Sequence, residues 1–124
     1  MQRRSHSQRG FTLIEIMVVV GIIGLVAGIS VPNAFKARET AQLNDILNNL
    51  RIIEESKSQW ALEKRKGTWD IPDGTDLAVY MKGNSLPQTV VGELYYLNDV
   101  GTPATAITPV KLGEIPAGGT IASY

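Results

Sequence analysis

The chain has 124 residues, with 12 basic and 12 acidic side chains, one histidine and no cysteine. This length excludes a multidomain enzyme, and the zero formal charge gives no basic excess of the kind that marks a nucleic-acid surface. Without cysteine there is no disulfide framework or thiolate site, and the single histidine, His6, cannot build a catalytic triad or a zinc site within one chain. We therefore expect a protein that performs no catalysis, holds no cofactor and binds no nucleic acid.

A basic leader opens the chain. Residues 1–10 contain three arginines and no acidic residue, whereas the rest of the sequence is net acidic.

The twenty residues from Ile16 to Phe35 carry no charge, and Glu15 is the only charged residue between Phe11 and Phe35. A helix of roughly 20 residues, with a rise of ~1.5 Å each, crosses a hydrocarbon core of ~30 Å. We expect residues 11–35 to form a transmembrane helix, with the leader on the cytoplasmic side and the rest of the chain exported.

An amphipathic pattern follows the apolar segment. Apolar residues recur at intervals of three and four, which is typical of one helix face, and they are Ala37, Ala41, Leu43, Ile46, Leu47, Leu50, Ile53, Trp60 and Ala61. We expect a solvated opposite face, which carries Glu39, Asp45, Arg51, Glu54, Glu55, Lys57 and Glu63. The sequence therefore predicts that residues 36–66 continue the helix, and that Leu50, Ile53 and Trp60 belong to the core of a small head.

Two features are expected to shape this long helix. Pro32 removes one helical hydrogen bond, and because the amphipathic pattern resumes within a few residues we expect a kink there rather than a helix end. At the other end, three cations at 64–66 precede Gly67, which can adopt the left-handed conformation of a helix cap. The helix is thus predicted to run from about Phe11 to Lys66.

The last part of the chain, residues 67–124, holds eight of the twelve glycines and five of the six prolines, so long regular elements are not expected there. Asp76 is a candidate N-cap for a short helix at 77–82. Residues with β propensity between turn signals predict short strands at 93–98, 106–112 and 120–123. The predicted fold class is α+β, in which one long N-terminal helix packs on a small antiparallel C-terminal sheet.

The most informative motif is Gly10-Phe11-Thr12-Leu13-Ile14-Glu15, which joins the leader to the apolar segment. An ordinary secretory signal is cut after its apolar stretch, whereas a cut at this glycine would remove the leader and keep the apolar helix. With a short basic leader before it and a proline near the end of the apolar run, the motif resembles the N-terminus of type IV pilins and type II secretion pseudopilins.

The resemblance implies a pilin-like fold and roles for three residues. A prepilin peptidase in the membrane would cut between Gly10 and Phe11 and methylate the new amine of Phe11. Glu15 would pair with that amine, in the same subunit or in a neighbouring one, and pairing across subunits would set the axial step of a filament. The implied partners are other pilin-like subunits in a homo- or hetero-polymer, the peptidase, a cytoplasmic assembly ATPase and an inner-membrane platform protein.

The resemblance also implies a location and raises the question of calcium. The subunit would cross the bacterial inner membrane once, with its head on the periplasmic side, and the filament would lie in the periplasm or at the cell surface. Some major pseudopilins bind calcium in the C-terminal region, so Asp70, Asp73 and Asp76 are candidate ligands. Their three-residue spacing differs from the alternate-residue spacing of an EF-hand loop, and we expect a turn at Asp73–Gly74 and a cap at Asp76 instead.

The favoured function is that of a structural pseudopilin in a type II-like secretion system. One alternative is a type IV pilin of a motility, adhesion or DNA-uptake pilus, which shares every N-terminal feature. Another is an exported soluble binding protein whose conventional signal is cut near Gly28-Ile29-Ser30. A small membrane-anchored enzyme is disfavoured, because the exported part has no histidine or cysteine to act as a base or nucleophile.

Overall fold

The computed structural model of the protein describes residues 10–123, so the predicted leader, apart from Gly10, lies outside the described residues. Helix α1 spans Leu13–Lys64 and the short helix α2 spans Gly74–Ala78, followed by strands β1 (Leu94–Tyr96), β2 (Thr105–Ile107) and β3 (Thr120–Ala122). The predicted α+β, pilin-like fold is confirmed. The chain divides into two compact units between Phe35 and Lys36, called here the N-terminal unit and the head.

Helix α1 is close to the predicted one, beginning and ending two residues inside the expected bounds. Pro32 lies inside it, so the helix does not end there; the kink stays a prediction. At its C-terminal end, Arg65 has the left-handed φ of 54°, and the N–H of Lys66 donates to the carbonyl of Ala61 at 2.9 Å. This is a Schellman cap with Arg65 at the position where Gly67 was expected. The expectation was wrong because the helix closes two residues earlier.

The core of the head lies between α1 and the inner face of the sheet. Leu50, Ile53 and Trp60 are buried as predicted, and the other buried apolar residues are Ile46, Leu77, Met81, Ala104, Ala106, Leu112 and Ile121. Ala37 and Ala41 were expected on the same stripe but are exposed. Full burial along α1 begins only at Ile46, with Leu43 packed against the core at its edge.

One prediction about the charged face of α1 is wrong. Lys57 was expected in solvent, but its side chain is only 1% exposed, and it is the largest fully buried side chain among the described residues. Its neighbour Ser56 is buried as well, and the hydroxyl of Ser56 donates to the carbonyl of Ile52 one turn back. The part of the head that follows α1 therefore covers a wider face of this helix than the apolar stripe alone would indicate.

The sheet has the order β1-β2-β3, and both pairs of strands are antiparallel. Tyr95 lies opposite Ala106, and Ala106 lies opposite Ile121, so these three side chains share the inner face. The strands are shorter than predicted. Strand β2 ends at Ile107 because Pro109 follows it and has no N–H to donate; Leu112, predicted as the end of this strand, forms an isolated bridge with Ile115 instead.

Helix α2 begins three residues before the predicted helix. Asp73, not Asp76, is its N-cap: the carboxylate of Asp73 accepts the N–H of Gly74, and the carboxylate of Asp76 accepts the N–H of Asp73. This is a capping box, in which the two side chains satisfy each other's backbone donors. The expected turn at Asp73–Gly74 is thus the start of the helix.

Candidate processing and assembly site

The predicted cleavage point is an open stretch of backbone in the N-terminal unit. Gly10 and Phe11 precede the first turn of α1, and the Phe11 side chain is 86% exposed. A Cβ built on Gly10 would meet no atom within 4 Å. Nothing among the described residues therefore requires glycine at position 10, so a requirement for glycine would have to come from another molecule that approaches this backbone closely.

The first turn of α1 is closed by a capping box that the sequence analysis missed. The N–H of Glu15 donates to Thr12 Oγ1 at 3.3 Å, and the N–H of Thr12 donates to Glu15 Oε2 at 3.4 Å. Thr12 is the N-cap and Glu15 stands at the third helical position. The sequence signal was present, because Thr12-Leu13-Ile14-Glu15 fits the pattern of threonine followed by glutamate three residues later.

This box places the Glu15 carboxylate at the amino end of the helix. A negative charge is favourable there because the helix dipole presents its positive end. The hydrogen bond that this carboxylate accepts from the N–H of Thr12 is long, at 3.4 Å, so the carboxylate is held only weakly by its own chain. Cleavage after Gly10 would create an amine on Phe11, next to the N–H that Glu15 already accepts. The geometry is thus compatible with pairing inside one subunit and leaves the carboxylate open to an amine from another.

The surface of the N-terminal unit is apolar and uncovered. Every residue from 10 to 35 is exposed, and its large apolar side chains are between 52% and 86% exposed. Within residues 10–123, α1 is the one helix long and apolar enough to cross a membrane. Cβ atoms built on Gly21, Gly24 and Gly28 would also meet nothing within 4 Å. Such a surface needs lipid or other helices around it.

The three aspartates considered for calcium have local partners. Asp70 Oδ2 accepts the N–H of Gly67 at 2.7 Å, while Asp73 and Asp76 form the capping box of α2. Among residues 10–123, no group of three or more histidine, cysteine, aspartate or glutamate side chains is arranged to hold a metal ion. These carboxylates order the chain between α1 and α2.

A buried polar cluster, also missed by the sequence analysis, fixes the segment before β1. Glu93 is 1% exposed and accepts hydrogen bonds from the N–H groups of Val90 and Val91 and from Tyr95 Oη. Asn49 on α1 donates to Tyr95 Oη at 2.9 Å and to the carbonyl of Gln88 at 3.1 Å. We call Asn49, Glu93 and Tyr95 the Glu93 cluster. It ties residues 88–95 to α1.

Electrostatics in the Glu93 cluster follow from burial and these hydrogen bonds. Burial by itself raises the pKa of Glu93, but the hydrogen bonds from Tyr95 and from the Val91 and Val90 N–H groups outweigh it and hold this pKa below its ordinary value of 4.5. Burial, together with the adjacent Glu93 carboxylate, raises the pKa of Tyr95. The cluster therefore keeps an ionised carboxylate and a neutral phenol at neutral pH.

The exposed apolar helix of the N-terminal unit and the helix-and-sheet head are the elements of a pilin-like fold. A family profile described as the prokaryotic N-terminal methylation motif matches residues 5–31. The resemblance to type IV pilins and pseudopilins at the N-terminus is confirmed.

Curated relatives of the chain include type II secretion system proteins and a type IV pilin. The chain is 35% identical over 63 residues to the type II secretion system core protein G of Klebsiella michiganensis, and 38% identical over 61 residues to that of Escherichia coli (strain K12). It is 36% identical over 64 residues to the type IV major pilin protein PilA of Myxococcus xanthus. These alignments cover 51%, 49% and 52% of this chain.

The chain spans 44%, 42% and 29% of the lengths of those relatives, which is less than half of each. No solved structure matches the chain significantly.

Proposed function

We propose that this chain is a structural subunit of a type IV pilus-like filament, and specifically a pseudopilin of a type II-like secretion system. The observation that carries the proposal is the helix of the N-terminal unit, whose apolar side chains are all exposed and whose only charge, Glu15, lies in its first turn. One chain leaves this surface uncovered, and a bundle of such helices would cover it. Relatives named core protein G favour the secretion role.

In the proposed processing and assembly pathway, the subunit starts in the inner membrane. The precursor inserts with its leader in the cytoplasm and its head in the periplasm, a prepilin peptidase cuts between Gly10 and Phe11, and the new amine of Phe11 is methylated. An assembly ATPase and a platform protein then move the subunit into a filament, where Glu15 pairs with the amine of Phe11. The methylation motif at residues 5–31 supports the processing steps of this proposal.

Mass spectrometry of the mature N-terminus tests the processing step. We expect a chain that starts at methylated Phe11. A mature chain that starts near Val31 would contradict the proposal, because the apolar helix would then be a discarded signal and the protein a soluble exported one.

The substitution Gly10→Leu sharpens this test. We expect the uncleaved precursor to accumulate in the membrane, because a branched side chain would keep the backbone from the active site of the peptidase. Gly10→Ala is the matched control, since it adds a single methyl group and should be cut to a greater extent. Equal cleavage of Gly10→Leu and the wild type would refute the proposed cut.

The similarity to a type IV major pilin favours a pilus as the second candidate function. Deletion of the gene separates the two. Loss of protein secretion with normal motility and DNA uptake supports the pseudopilin, whereas the reverse pattern supports the pilin.

A further inference from the structure

The ammonium group of Lys57, a buried lysine of the head, has an oxygen acceptor for each of its three donors. An ammonium group has three donors, and Lys57 Nζ has three acceptors: Glu54 Oε1 at 2.8 Å, the carbonyl of Leu97 at 2.9 Å and the carbonyl of Thr102 at 2.7 Å. A buried charge is tolerated only when it is paired and fully hydrogen-bonded. Lys57 meets both conditions, so its position is specified and not incidental.

Two of these oxygens belong to one connection. Residues 97–104 link β1 to β2, and both backbone carbonyls that Lys57 collects come from this connection. The Glu54 carboxylate continues the arrangement, because Oε1 also accepts the N–H of Ala104 at the end of the connection. Lys57 and Glu54 therefore hold both ends of the connection against α1.

The rest of the connection is shaped around these contacts. Asn98 has a φ of 55°, and its side-chain amide donates to the carbonyl of Pro103 at 2.8 Å. On the far side, the N–H of Gly101 donates to the carbonyl of Thr68 at 2.9 Å. A Cβ on Gly101 would lie 2.2 Å from Thr68 Cγ2, so a larger residue there would require the Thr68 side chain to move. The connection is thus a closed turn whose carbonyls converge on the head interior.

We propose that the ammonium group of Lys57 is the built-in structural cation of the β1–β2 connection, and that emptying its oxygen site creates a binding site for a small external cation. Backbone carbonyls and a carboxylate are the ligands that hard cations prefer. Here the chain supplies a positive charge itself, so the head folds around an internal cation.

The first experiment separates local from global effects. Hydrogen exchange of the full chain in detergent micelles is compared for the wild type, Lys57→Met and Lys64→Met. Methionine has a similar length and no charge, and Lys64 is an exposed lysine two turns along the same helix. For Lys57→Met we expect exchange of the Gly101, Thr102 and Ala104 amides to rise at least about tenfold more than that of Ala106 and Thr108, the equivalent of about 1.4 kcal/mol. A uniform rise across the head, or a Lys64→Met profile that matches it, would overturn the proposal.

The second experiment tests the emptied site. Lys57→Ala keeps the three oxygens and removes the ammonium. We expect ammonium chloride or calcium chloride to raise its melting temperature above that in tetramethylammonium chloride of equal ionic strength, because tetramethylammonium is too large and cannot donate hydrogen bonds. Lys57→Met, whose side chain fills the space, should show no such difference. An equal melting temperature of Lys57→Ala in all three salts would contradict the proposal.

A chelator provides the third measurement. EDTA should leave the melting temperature of the wild type unchanged, and a clear decrease would show that a metal ion, not Lys57, orders the head. The double variant Glu54→Gln, Lys57→Met removes both charges together. If it retains rapid exchange at 97–104, the carbonyl contacts of Lys57 are responsible; if exchange returns to the wild-type level, the unpaired Glu54 carboxylate was the cause and the proposal fails.

Discussion

Glu15 in the N-terminal unit and Lys57 in the head lie on the same helix, yet their charged groups differ in the hydrogen bonds that they make. Lys57 has a carboxylate and two carbonyls within 2.9 Å. Among the described residues, the Glu15 carboxylate accepts one long hydrogen bond, from the N–H of Thr12 at 3.4 Å. The head satisfies the charge of Lys57 with the Glu54 carboxylate and two backbone carbonyls. In the N-terminal unit the Glu15 carboxylate is bonded only weakly by the described residues, which is what the proposed pairing with another subunit requires.

The same contrast holds for apolar surface. The head has an apolar core between α1 and the sheet, although Trp69, Ile71 and Val79 stay exposed, whereas every residue from 10 to 35 is exposed. In lipid, association of such helices depends on shape and on the cost of leaving a polar group unpaired more than on the hydrophobic effect. The head therefore has a core within one chain, whereas residues 10–35 have none.

The largest expected effect concerns Glu15 in the N-terminal unit. We expect Glu15→Val to be cleaved and inserted normally but to form filaments at least about tenfold less well, because a hydrogen bond to a charged group contributes roughly 1.5–3 kcal/mol and about 1.4 kcal/mol is a factor of ten. The yield of sheared filaments on immunoblots measures this effect, and mass spectrometry of the same samples verifies processing.

Two further variants separate charge from capping at this site. Glu15→Gln can still accept the N–H of Thr12 but carries no charge, so we expect it to fail like Glu15→Val. Thr12→Val removes the hydroxyl of the capping box and keeps the carboxylate, so it should retain most filaments. Normal filaments from Glu15→Gln would show that the box, and not an intersubunit charge pair, is the requirement.

An intermediate effect is expected in the head, at the buried Glu93. Glu93→Gln replaces one acceptor oxygen of a buried carboxylate with a donor, and leaving buried N–H or O–H groups unsatisfied costs about 1–3 kcal/mol. We expect thermal or denaturant unfolding at neutral pH to show this loss. The matched control is Glu55→Gln, an exposed glutamate on α1, which should change the free energy of unfolding by less than about 0.5 kcal/mol.

The pH dependence of this loss has a defined sign. Because the folded pKa of Glu93 is below its ordinary value of 4.5, the ionised carboxylate stabilises the head above that pH, and this contribution disappears as the pH falls through the folded pKa. The difference between wild type and Glu93→Gln should therefore be constant at neutral pH and shrink below about pH 4.5. A difference that grows on acidification would contradict the geometry of the Glu93 cluster.

The sequence predicts what depends on local pattern and misses what depends on distant partners. Leu50, Ile53 and Trp60 follow the helical period, and the methylation motif is a contiguous string, so both were accessible. Lys57 was not, because the carbonyls that hold it lie 40 and 45 residues further along the chain. A lysine flanked by two serines carries no sign of that partnership. Glu93 was missed although Val90, Val91 and Tyr95 lie within three residues of it, because its burial depends on the fold of the head. The Thr12–Glu15 and Asp73–Asp76 boxes are local and could have been predicted from their spacing.

The smallest expected effect concerns the end of α1, where the sequence favoured Gly67 and the structure has Arg65 in the left-handed conformation. A side chain in this conformation costs about 1–2 kcal/mol, and glycine avoids most of that cost. We expect Arg65→Gly to raise the free energy of unfolding of the full chain in micelles by about 0.5–1 kcal/mol, since the cations at 64 and 66 remain. Arg65→Ala controls for the lost charge and should give no gain. Gly67→Ala should be nearly neutral, because its Cβ would lie 3.8 Å from Asp70 Oδ2, an ordinary contact. If Gly67→Ala is instead the destabilising variant and Arg65→Gly has no effect, the helix ends at Gly67, and the Lys66–Ala61 hydrogen bond is not the cap that closes it.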